Sequence, residues 1–375
     1  MADPPSSHFS HRVTLKDIAA KASLSVAAVS LALRDHPRLP ATTIKRVKRL
    51  ATKMGYAPDP ALSALAAHRS RVRLFRDFSV IGLVSNWSTH DAWTARPSAQ
   101  QFIAGATDRA RELGYSLQHL WARKDGASPS RFSRILQARG IRGLILAPFE
   151  EQESHFKLDW KSFSVVTIER ATAFTQFHHL VPNHYADLLL CSEKVRSLGY
   201  TKVGLAVRRD LAVRCNHQWE AAHAYAESHA STALQTVPTL ELTEADQFDQ
   251  IRAWIRTHRP QAVIGRCDNF IAAANAEGLR VPEDIGFVSL NVVDDEPGAS
   301  GIDQHRDIMG ATAVDVLNTL LQRNQRGLQP ASIGTQINGT WHQGSTLSKN
   351  VPGTKPARPP KKKAGKPKTK AKSTE

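Results

Sequence analysis

Residues 13–33, VTLKDIAAKASLSVAAVSLAL, decide the architecture of the amino-terminal part of this chain. Thr14 and Ser25 each precede an apolar stripe at helical spacing, and a hydroxyl in that position caps a helix by accepting a backbone hydrogen bond. Asp17 falls in the first turn of the earlier helix, where a negative charge is favourable. The segment therefore predicts two short helices joined by a tight turn, an arrangement whose second helix fits the major groove of DNA.

A basic third helix is predicted from Thr42 to Met54, with Gly55 at its end. Its apolar residues recur at helical spacing and face inward, while five basic residues surround them. These are Lys45, Arg46, Lys48, Arg49 and Lys53. A small three-helix bundle without a role in DNA binding is the alternative, but the turn chemistry and the basic surface together favour a DNA-binding head over residues 12–58, after a disordered stretch at 1–11.

The segment after this head predicts a hinge over residues 59–77. Asp59 and Pro60 offer a capped helix start, and residues 61–68 predict a helix of small side chains that is too short to be stable alone. A cluster of arginines then ends the hinge where the next domain begins.

Four stretches of this region resemble the amino-terminal signature of the lac repressor/galactose repressor (LacI/GalR) family of bacterial transcription regulators. They are TLKDIA at 14–19, Val29-Ser30, Gly55-Tyr56-x-Pro58 and PALSALA at 60–66. The later chain resembles the same family's ligand-binding body, so the resemblance covers roughly residues 12–345. It implies a homodimer that binds double-stranded DNA at an inverted repeat, with one head on each half-site.

The resemblance also implies which residues contact DNA. The positions that read bases in the family correspond to Val26, Ala27 and Leu31, so few side chains here can form bidentate hydrogen bonds. Leu65 occupies the position of a leucine that wedges into the minor groove, and an ordinary apolar linker contact is the alternative. The full set of expected DNA contacts is Thr14, Leu15, Ser25, Val26, Ala27, Ser30, Leu31, Arg34, Tyr56 and Leu65.

From Phe78 onward, short apolar strands alternate with longer amphipathic helices, which predicts parallel sheets covered on both faces. The predicted strands are 78–85, 117–121, 143–147, 165–168, 202–206, 262–265 and 285–290. Two such halves, with VPEDI at 281–285, resemble the periplasmic-binding-protein type 1 body, whose ligand lies between two parallel-sheet subdomains. We expect a body at 78–345, with an N-subdomain at about 78–178 and 306–345 and a C-subdomain at about 179–305.

Candidate ligand-binding residues follow strand ends, where open α/β sheets bind ligands. The loop after the first strand contains Trp87, Asp91 and Trp93, the mixture of aromatic and polar groups that a sugar would need. A role of the tryptophans as loop anchors is the alternative. The adjacent pair His178 and His179 is interpreted as a solvated loop rather than a ligand pair.

The family resemblance adds further effector-binding candidates. They are Arg214, Asn216, Trp219, Asp268, Asn291 and Asp294. The chain departs from the family in two places, because Cys215 replaces the usual arginine and SLN at 289–291 replaces the usual Gly-Phe-Asp. Arg214 is then the arginine that can serve instead.

Several other classes of protein are disfavoured by the sequence. The chain has no GxGxxG after a strand, no GxxxxGK[ST], no HExxH and no GxSxG, so an enzyme, a metal site and a cofactor are not expected. Its three cysteines are widely spaced, which suits structural thiols in a reducing compartment. Nothing at residues 1–11 resembles a signal peptide, and no apolar run approaches the ~20 residues of a membrane helix. The prediction is a cytoplasmic protein with no membrane partner.

The net charge of +16 indicates an anionic partner, and much of that charge lies in a Lys/Pro-rich tail at 346–375 that is expected to be disordered. We predict an effector-responsive DNA-binding transcription regulator, a repressor controlled by a sugar or related metabolite. An architectural protein that binds DNA without sequence preference is the alternative. A sugar-binding transport component is disfavoured because it would need a signal peptide and no helix-turn-helix.

Overall fold

The computed structural model of the chain describes residues 13–33, 39–56, 79–123, 128–150, 158–169, 176–229, 235, 237–243, 246–295 and 297–349. They form a helical head and two α/β units, which confirms the predicted fold class. The predictions for Arg34, Leu65, the hinge and most of the tail lie outside the described residues. Within the described ranges, no helix has the length and apolar character needed to cross a membrane.

The head consists of α1 (Leu15–Ala22), α2 (Val26–Leu33) and α3 (Ala41–Lys53). Thr14 caps α1 reciprocally, since its Oγ1 accepts the backbone N–H of Asp17 and the Asp17 carboxylate accepts the N–H of Thr14. Ser23 takes a left-handed conformation that ends α1 and starts the turn. The three helices enclose a core of Ile18, Ala19, Val29, Ala32, Val47 and Ala51. The predicted helix-turn-helix is therefore confirmed.

The body strands, numbered along the chain, are β1 (Ser79–Ser85), β2 (Tyr115–Trp121), β3 (Gly143–Leu146), β4 (Ser164–Ile168), β5 (His178–Pro182), β6 (Val203–Arg208), β7 (Leu240–Leu242), β8 (Ala262–Arg266), β9 (Gly286–Ser289), β10 (Ser300–Asp303), β11 (Gly334–Ile337) and β12 (Thr340–His342). The body helices are α4 (Pro97–Glu112), α5 (Pro129–Ala138), α6 (His184–Ser197), α7 (Arg209–Arg214), α8 (Gln218–Ser228), α9 (Gln247–His258), α10 (Phe270–Ala276) and α11 (Arg306–Gln322). The two sheets have the strand orders β11-β5-β4-β3-β1-β2 and β12-β10-β9-β8-β6-β7. The registered strand pairs run parallel, as the alternating pattern predicts.

The first unit contains the described residues up to 187, together with 210–219 and 303–340. Its helices α4 and α11 cross with their backbones in close contact at two glycines. A Cβ on Gly105 would lie 2.0 Å from the carbonyl oxygen of Asp307, and one on Gly310 would lie 2.1 Å from that of Phe102. Only glycine allows this approach. A helix from near the end of the chain is thereby fixed to the first helix of the body.

The second unit contains the described residues of 188–209, 220–302 and 341–349. The sequence-based boundary at 178/179 falls inside β5, which pairs with β4 and β11 and so lies in the first sheet. The interpretation of His178 and His179 as a solvated loop is wrong, because both belong to β5 and are half-buried. The two histidines are covered because a distant segment pairs with β5. The N–H of Ile333, just before β11, donates to Nδ1 of His178 at 3.0 Å.

Candidate DNA-binding head and ligand-site residues

The outer face of α2 is the candidate DNA-reading surface. Ser25 caps the helix, because its Oγ accepts the backbone N–H three residues later at 3.1 Å. Val26 is 44% exposed and Ala27 is exposed, while Ser30 and Leu31 are half-buried. The face therefore consists of short, mostly apolar side chains on a helix that is fixed by its cap and its buried side.

Three other expected DNA contacts take part in the structure of the head itself. Thr14 forms the cap of α1. Leu15 and Tyr56 are half-buried against the core of the head, and the N–H of Tyr56 donates to the carbonyl of Ala51 at 3.0 Å, just after α3 ends. These contacts cap α1, fix the end of α3 and extend the core of the head. Direct contact of the three residues with DNA stays a prediction.

Basic residues dominate the polar surface of the head. They are Lys16, Lys21, Lys45, Arg46, Lys48, Arg49 and Lys53. Within the described part of the head, Asp17 is the one acidic residue, and its carboxylate is held in the cap of α1. The head is thus strongly positive, as a partner with a phosphate backbone requires.

The two tryptophans of the loop after β1 have different environments. Trp93 is 7% exposed and packs edge-on against Phe102 in the first unit's core. The prediction that it presents an aromatic face to a ligand is therefore corrected, and Trp93 is a loop anchor. Trp87 is half-buried, and its Nε1–H donates to the carbonyl of Pro148 at 2.7 Å. Asp91 is exposed and contacts the neighbouring His90.

Arg214 lies in a buried ionic cluster at the carboxyl ends of β3 and β4. Its Nη1 donates to the carbonyl of Phe149 at 2.8 Å, and its Nε lies 4.0 Å from Oε2 of Glu169. On the other side of Glu169, Arg306 donates from Nη1 to Oε1 at 3.2 Å and from Nη2 to Gln304 at 2.8 Å. The three charged side chains are only 12–17% exposed. One carboxylate thus lies between two arginines.

Electrostatics keep this carboxylate ionised. Burial raises the pKa of Glu169, but the positive charges of Arg306 and Arg214 outweigh burial, so its pKa lies below the ordinary value. Glu169 also takes a left-handed backbone (φ 61°), which is uncommon outside glycine and is typical of functional loops. The cluster is therefore charged at neutral pH.

Trp219 lies in the first unit together with Arg214. It is 3% exposed, and its ring meets that of His184 edge-on with centroids 4.8 Å apart. Its indole N–H has no hydrogen-bond partner among the residues that the structure describes. Asn216, in contrast, is exposed with a left-handed backbone (φ 57°). Of these two candidates, Trp219 therefore offers the buried polar atom and Asn216 the exposed amide.

A second buried acid lies at the start of α6. Asp187 is 2% exposed, and its Oδ1 accepts the N–H of Gly339 at 2.9 Å. Burial raises its pKa to about 6, although that hydrogen bond and the charges of Arg306 and His305 act in the opposite direction. This acid ties the beginning of α6 to the segment between β11 and β12.

In the second unit, Asp268 stands just after β8 with a side chain that is 55% exposed. Its Oδ2 lies 3.8 Å from Nη1 of Arg208, at the end of β6. Among the predicted acidic candidates of this unit, Asp268 is the more accessible one, because Asp294 is only 11% exposed. An exposed carboxylate at the end of a parallel sheet can accept hydrogen bonds from ligand hydroxyl groups.

The loop after β9 forms a dense polar network around Arg266, the last residue of β8. Arg266 donates to Asp294 at 3.0 Å and contacts Asp295, which also accepts the hydroxyl of Ser289. Asn291 is buried, and its side chain bonds to the loop through the N–H of Val293 and the carboxylate of Asp294. Asn291 and Asp294 thus have loop-forming contacts within the protein. Their contact with a ligand stays a prediction.

The sequence interpretation missed Glu169, Arg306, Arg266 and Asp295. Glu169 follows β4 directly, and Arg266 ends β8. An examination of every predicted strand for a charged residue at its carboxyl end would have found these two. The described residues contain no group of three or more His, Cys, Asp or Glu that could hold a metal ion, and Cys191, Cys215 and Cys267 are buried.

Two protein-family models match the chain. The model of bacterial regulatory proteins of the lacI family matches residues 14–59, and that of a periplasmic binding protein-like domain matches residues 193–338. A curated relative, the HTH-type transcriptional repressor PurR of Aliivibrio fischeri (strain ATCC 700601 / ES114), is 23% identical over 340 residues, which cover 81% of this chain and 90% of the relative.

Solved structures show the same fold. The transcriptional regulator CelR in its cellobiose complex is 16% identical, with a TM-score of 0.55 over 89% of this chain and 100% of that chain. The lac repressor dimer bound to operator and the anti-inducer ONPF is 20% identical, with a TM-score of 0.52 over 90% and 100%. At these identities the likeness establishes the architecture.

Proposed function

Because the chain belongs to the LacI family of bacterial regulatory proteins, and is a DNA-binding transcription regulator, we propose that it is a cytoplasmic repressor that recognises an operator sequence. The observation that carries this proposal is the outer face of α2, which is capped, exposed and supported by a buried core. Basic residues of α3 and α1 supply the charge that holds a phosphate backbone. Its curated relatives are transcription regulators and not enzymes.

A homodimer is part of the proposal. One head presents a single eight-residue helix, α2, which has too little surface for tight and specific binding. Two heads on a twofold axis would bind an inverted repeat whose half-sites lie about one helical turn apart. The lac repressor structure is that of a dimer bound to operator, which supports this arrangement.

A small-molecule effector, a sugar or related metabolite, is proposed to bind at the carboxyl ends of the body's parallel strands. Within the first unit, exposed Asp91 offers an acceptor for hydroxyl groups and the indole N–H of Trp219 offers a buried donor. Within the second unit, exposed Asp268 offers an acceptor of its own. Such a mixture of aromatic and polar groups suits a polyol. The structural likeness to CelR in its cellobiose complex supports a sugar as the first ligand class to test.

Regulation then follows from linkage between the two ligands. An effector that lowers the affinity for the operator must itself bind more weakly to the DNA complex, by the same factor. Induction and co-repression differ only in the sign of this coupling.

The proposal is tested by selecting duplexes from a random library with the full-length protein. We expect an enriched inverted repeat, protected in footprinting as two symmetric half-sites. Fluorescence anisotropy on that duplex, with cellobiose, maltose and lactose added in turn, then tests the effector. Equal affinity for the selected duplex and random DNA, with a steep salt dependence, would instead support the architectural role that the +16 net charge suggests.

A further inference from the structure

The DNA-reading face of α2 contains no side chain that can form a bidentate hydrogen bond with a base pair. Such bonds come from Arg, Lys, Asn, Gln, Glu or Asp, and none of these occurs between Ser25 and Leu33. The hydroxyl oxygen of Ser25 accepts a backbone N–H as the helix cap. A serine hydroxyl also bonds to either a donor or an acceptor, and so discriminates poorly between bases.

What this face does present is methyl groups. Val26 is 44% exposed, Ala27 beside it is exposed, and Leu31 stands one turn further on with part of its side chain accessible. Val26 and Ala27 are short, so the backbone of α2 can approach the floor of a groove closely. The buried Val29 and Ala32 on the opposite side fix which residues point outward.

In the major groove of DNA, the C5 methyl of thymine is the one apolar feature among the base edges. We infer that Val26, Ala27 and Leu31 read the half-site through thymine methyl groups, a specificity that rests on the proposed function. The partner is a duplex because the surrounding surface is basic: Lys16, Lys21, Lys45, Arg46 and Arg49 complement phosphates. The pattern of thymines in the major groove then contributes to the choice of operator, beside the expected contacts of Arg34 and Leu65.

The size of the effect distinguishes this mode of recognition from hydrogen bonding. Burial of one methyl-sized group contributes about 0.8 kcal/mol, which corresponds to about a fourfold change in affinity for each thymine contact. Recognition is therefore built from several small increments. The free energy of recognition then depends on how closely the side-chain methyl groups pack against the thymine methyl groups, rather than on charge.

The test uses the duplex that the full-length protein selects from a random library. Each thymine of a half-site is replaced in turn by deoxyuridine, which removes only the C5 methyl group. At two or more positions of a half-site, the substitution should lower the affinity of the protein for the duplex about fourfold. Replacement of guanines by 7-deazaguanine removes only the N7 acceptor. The affinity of the protein for such duplexes should be almost unchanged.

Variants of α2 locate the effect. For the Val26→Ala variant, deoxyuridine should no longer lower the affinity at one thymine position. At the other positions it should lower the affinity as it does for the parent protein. Leu31→Ala should do the same at a different position. Lys53→Ala, an exposed change on α3, is the matched control and should leave every deoxyuridine ratio unaltered.

The outcomes separate the inference from the proposed function. If no duplex is enriched, the proposed function fails. If a duplex is enriched but tolerates deoxyuridine and loses affinity with 7-deazaguanine, the protein reads by hydrogen bonds, and only the inference is overturned. Retention of all deoxyuridine losses in both α2 variants would also overturn it, because other residues would then contact the methyl groups.

Discussion

The carboxyl edges of the two sheets carry buried ionic clusters of opposite composition. In the first unit one carboxylate, Glu169, contacts two arginines. In the second unit one arginine, Arg266, contacts two aspartates. The two six-stranded sheets thus each carry a buried ionic cluster at the carboxyl edge, and the signs of the charges are inverted. The architecture fixes where charges stand, and the sequence of each loop fixes what they are.

The two clusters respond differently to pH. Arginine keeps its proton, and the pKa of Glu169 lies below its ordinary value because the charges of Arg306 and Arg214 outweigh burial. In the second cluster, burial raises the pKa of Asp295 to about 6, although Arg266 acts against this. The first cluster therefore stays charged at neutral pH, whereas the second gains a proton in mildly acidic solution.

Glu169→Gln is expected to have the largest effect on stability, because it leaves Arg214 and Arg306 buried without a counter-charge. The free energy of unfolding should fall by about 3–5 kcal/mol, as is usual when one partner of a buried ion pair is removed. Urea denaturation followed by tryptophan fluorescence measures it. Glu112→Gln breaks a surface pair with Arg109 and should cost less than about 1 kcal/mol. Equal losses in both variants would mean that Glu169 balances no buried charge.

Arg266→Met should cost about 3 kcal/mol near pH 8, because two aspartates then face each other without their cation. The loss should shrink near pH 5, where Asp295 can take up a proton. Glu169→Gln should show no such recovery, since arginine does not discharge. Urea denaturation at the two pH values distinguishes the clusters, with exposed Arg280→Met as the control. A loss that is independent of pH would contradict the proposed difference.

Asp295→Asn tests the titration of the second cluster alone. The pKa of Asp295 is raised on folding, so its contribution to stability is complete below about pH 3.8 and is lost as the pH rises through about 6. Between pH 4 and pH 7 the parent protein should therefore lose about 2 kcal/mol of stability that the variant keeps. Asp249→Asn, at an exposed helix position, should leave that slope unchanged.

Asp268→Ala should have the smallest effect on stability, below about 0.5 kcal/mol, because its carboxylate is exposed and 3.8 Å from Arg208. It should nevertheless weaken the response to the effector while operator affinity stays intact. Calorimetry with the sugar identified in the anisotropy assay measures this. Unaltered effector affinity would remove Asp268 from the ligand site and leave the second cluster without an exposed acid for the ligand.

The strands that could be predicted from the sequence are those buried along their whole length, because such strands consist of a continuous apolar run. β3, β4 and β9 have no exposed residue, and each was expected from its apolar run. The edge strand β11, GTQI, alternates between exposed and half-buried residues, and β5 starts with two histidines, so neither carries such a signal. These strands exist because they pair with each other, and no local pattern records that pairing.

Candidate site residues were predicted where their position follows from a neighbouring strand in the sequence. They were missed where their position depends on a contact with a residue far away in the chain. Asp268 and Asp294 follow predicted strands, so their place at the carboxyl edge could be anticipated. Arg306 contacts Glu169 although 137 residues of chain separate them, and no sequence pattern near either residue predicts this contact. Trp93 illustrates the opposite error, because a loop tryptophan has the same sequence context whether it binds a ligand or fills the core beside Phe102.

The contact of α4 with α11 through Gly105 and Gly310 has a consequence for synthesis on the ribosome. Five strands of the first sheet are complete when Pro182 has been made, but α11 and β11 emerge only later, with β11 ending at Ile337. At about 5–20 residues per second, this interval of about 155 residues lasts roughly 8–30 s. During that time the face of α4 that meets α11 and the open edge of β5 lack their native neighbours. The nascent protein is thus open to aggregation through these surfaces for a defined period.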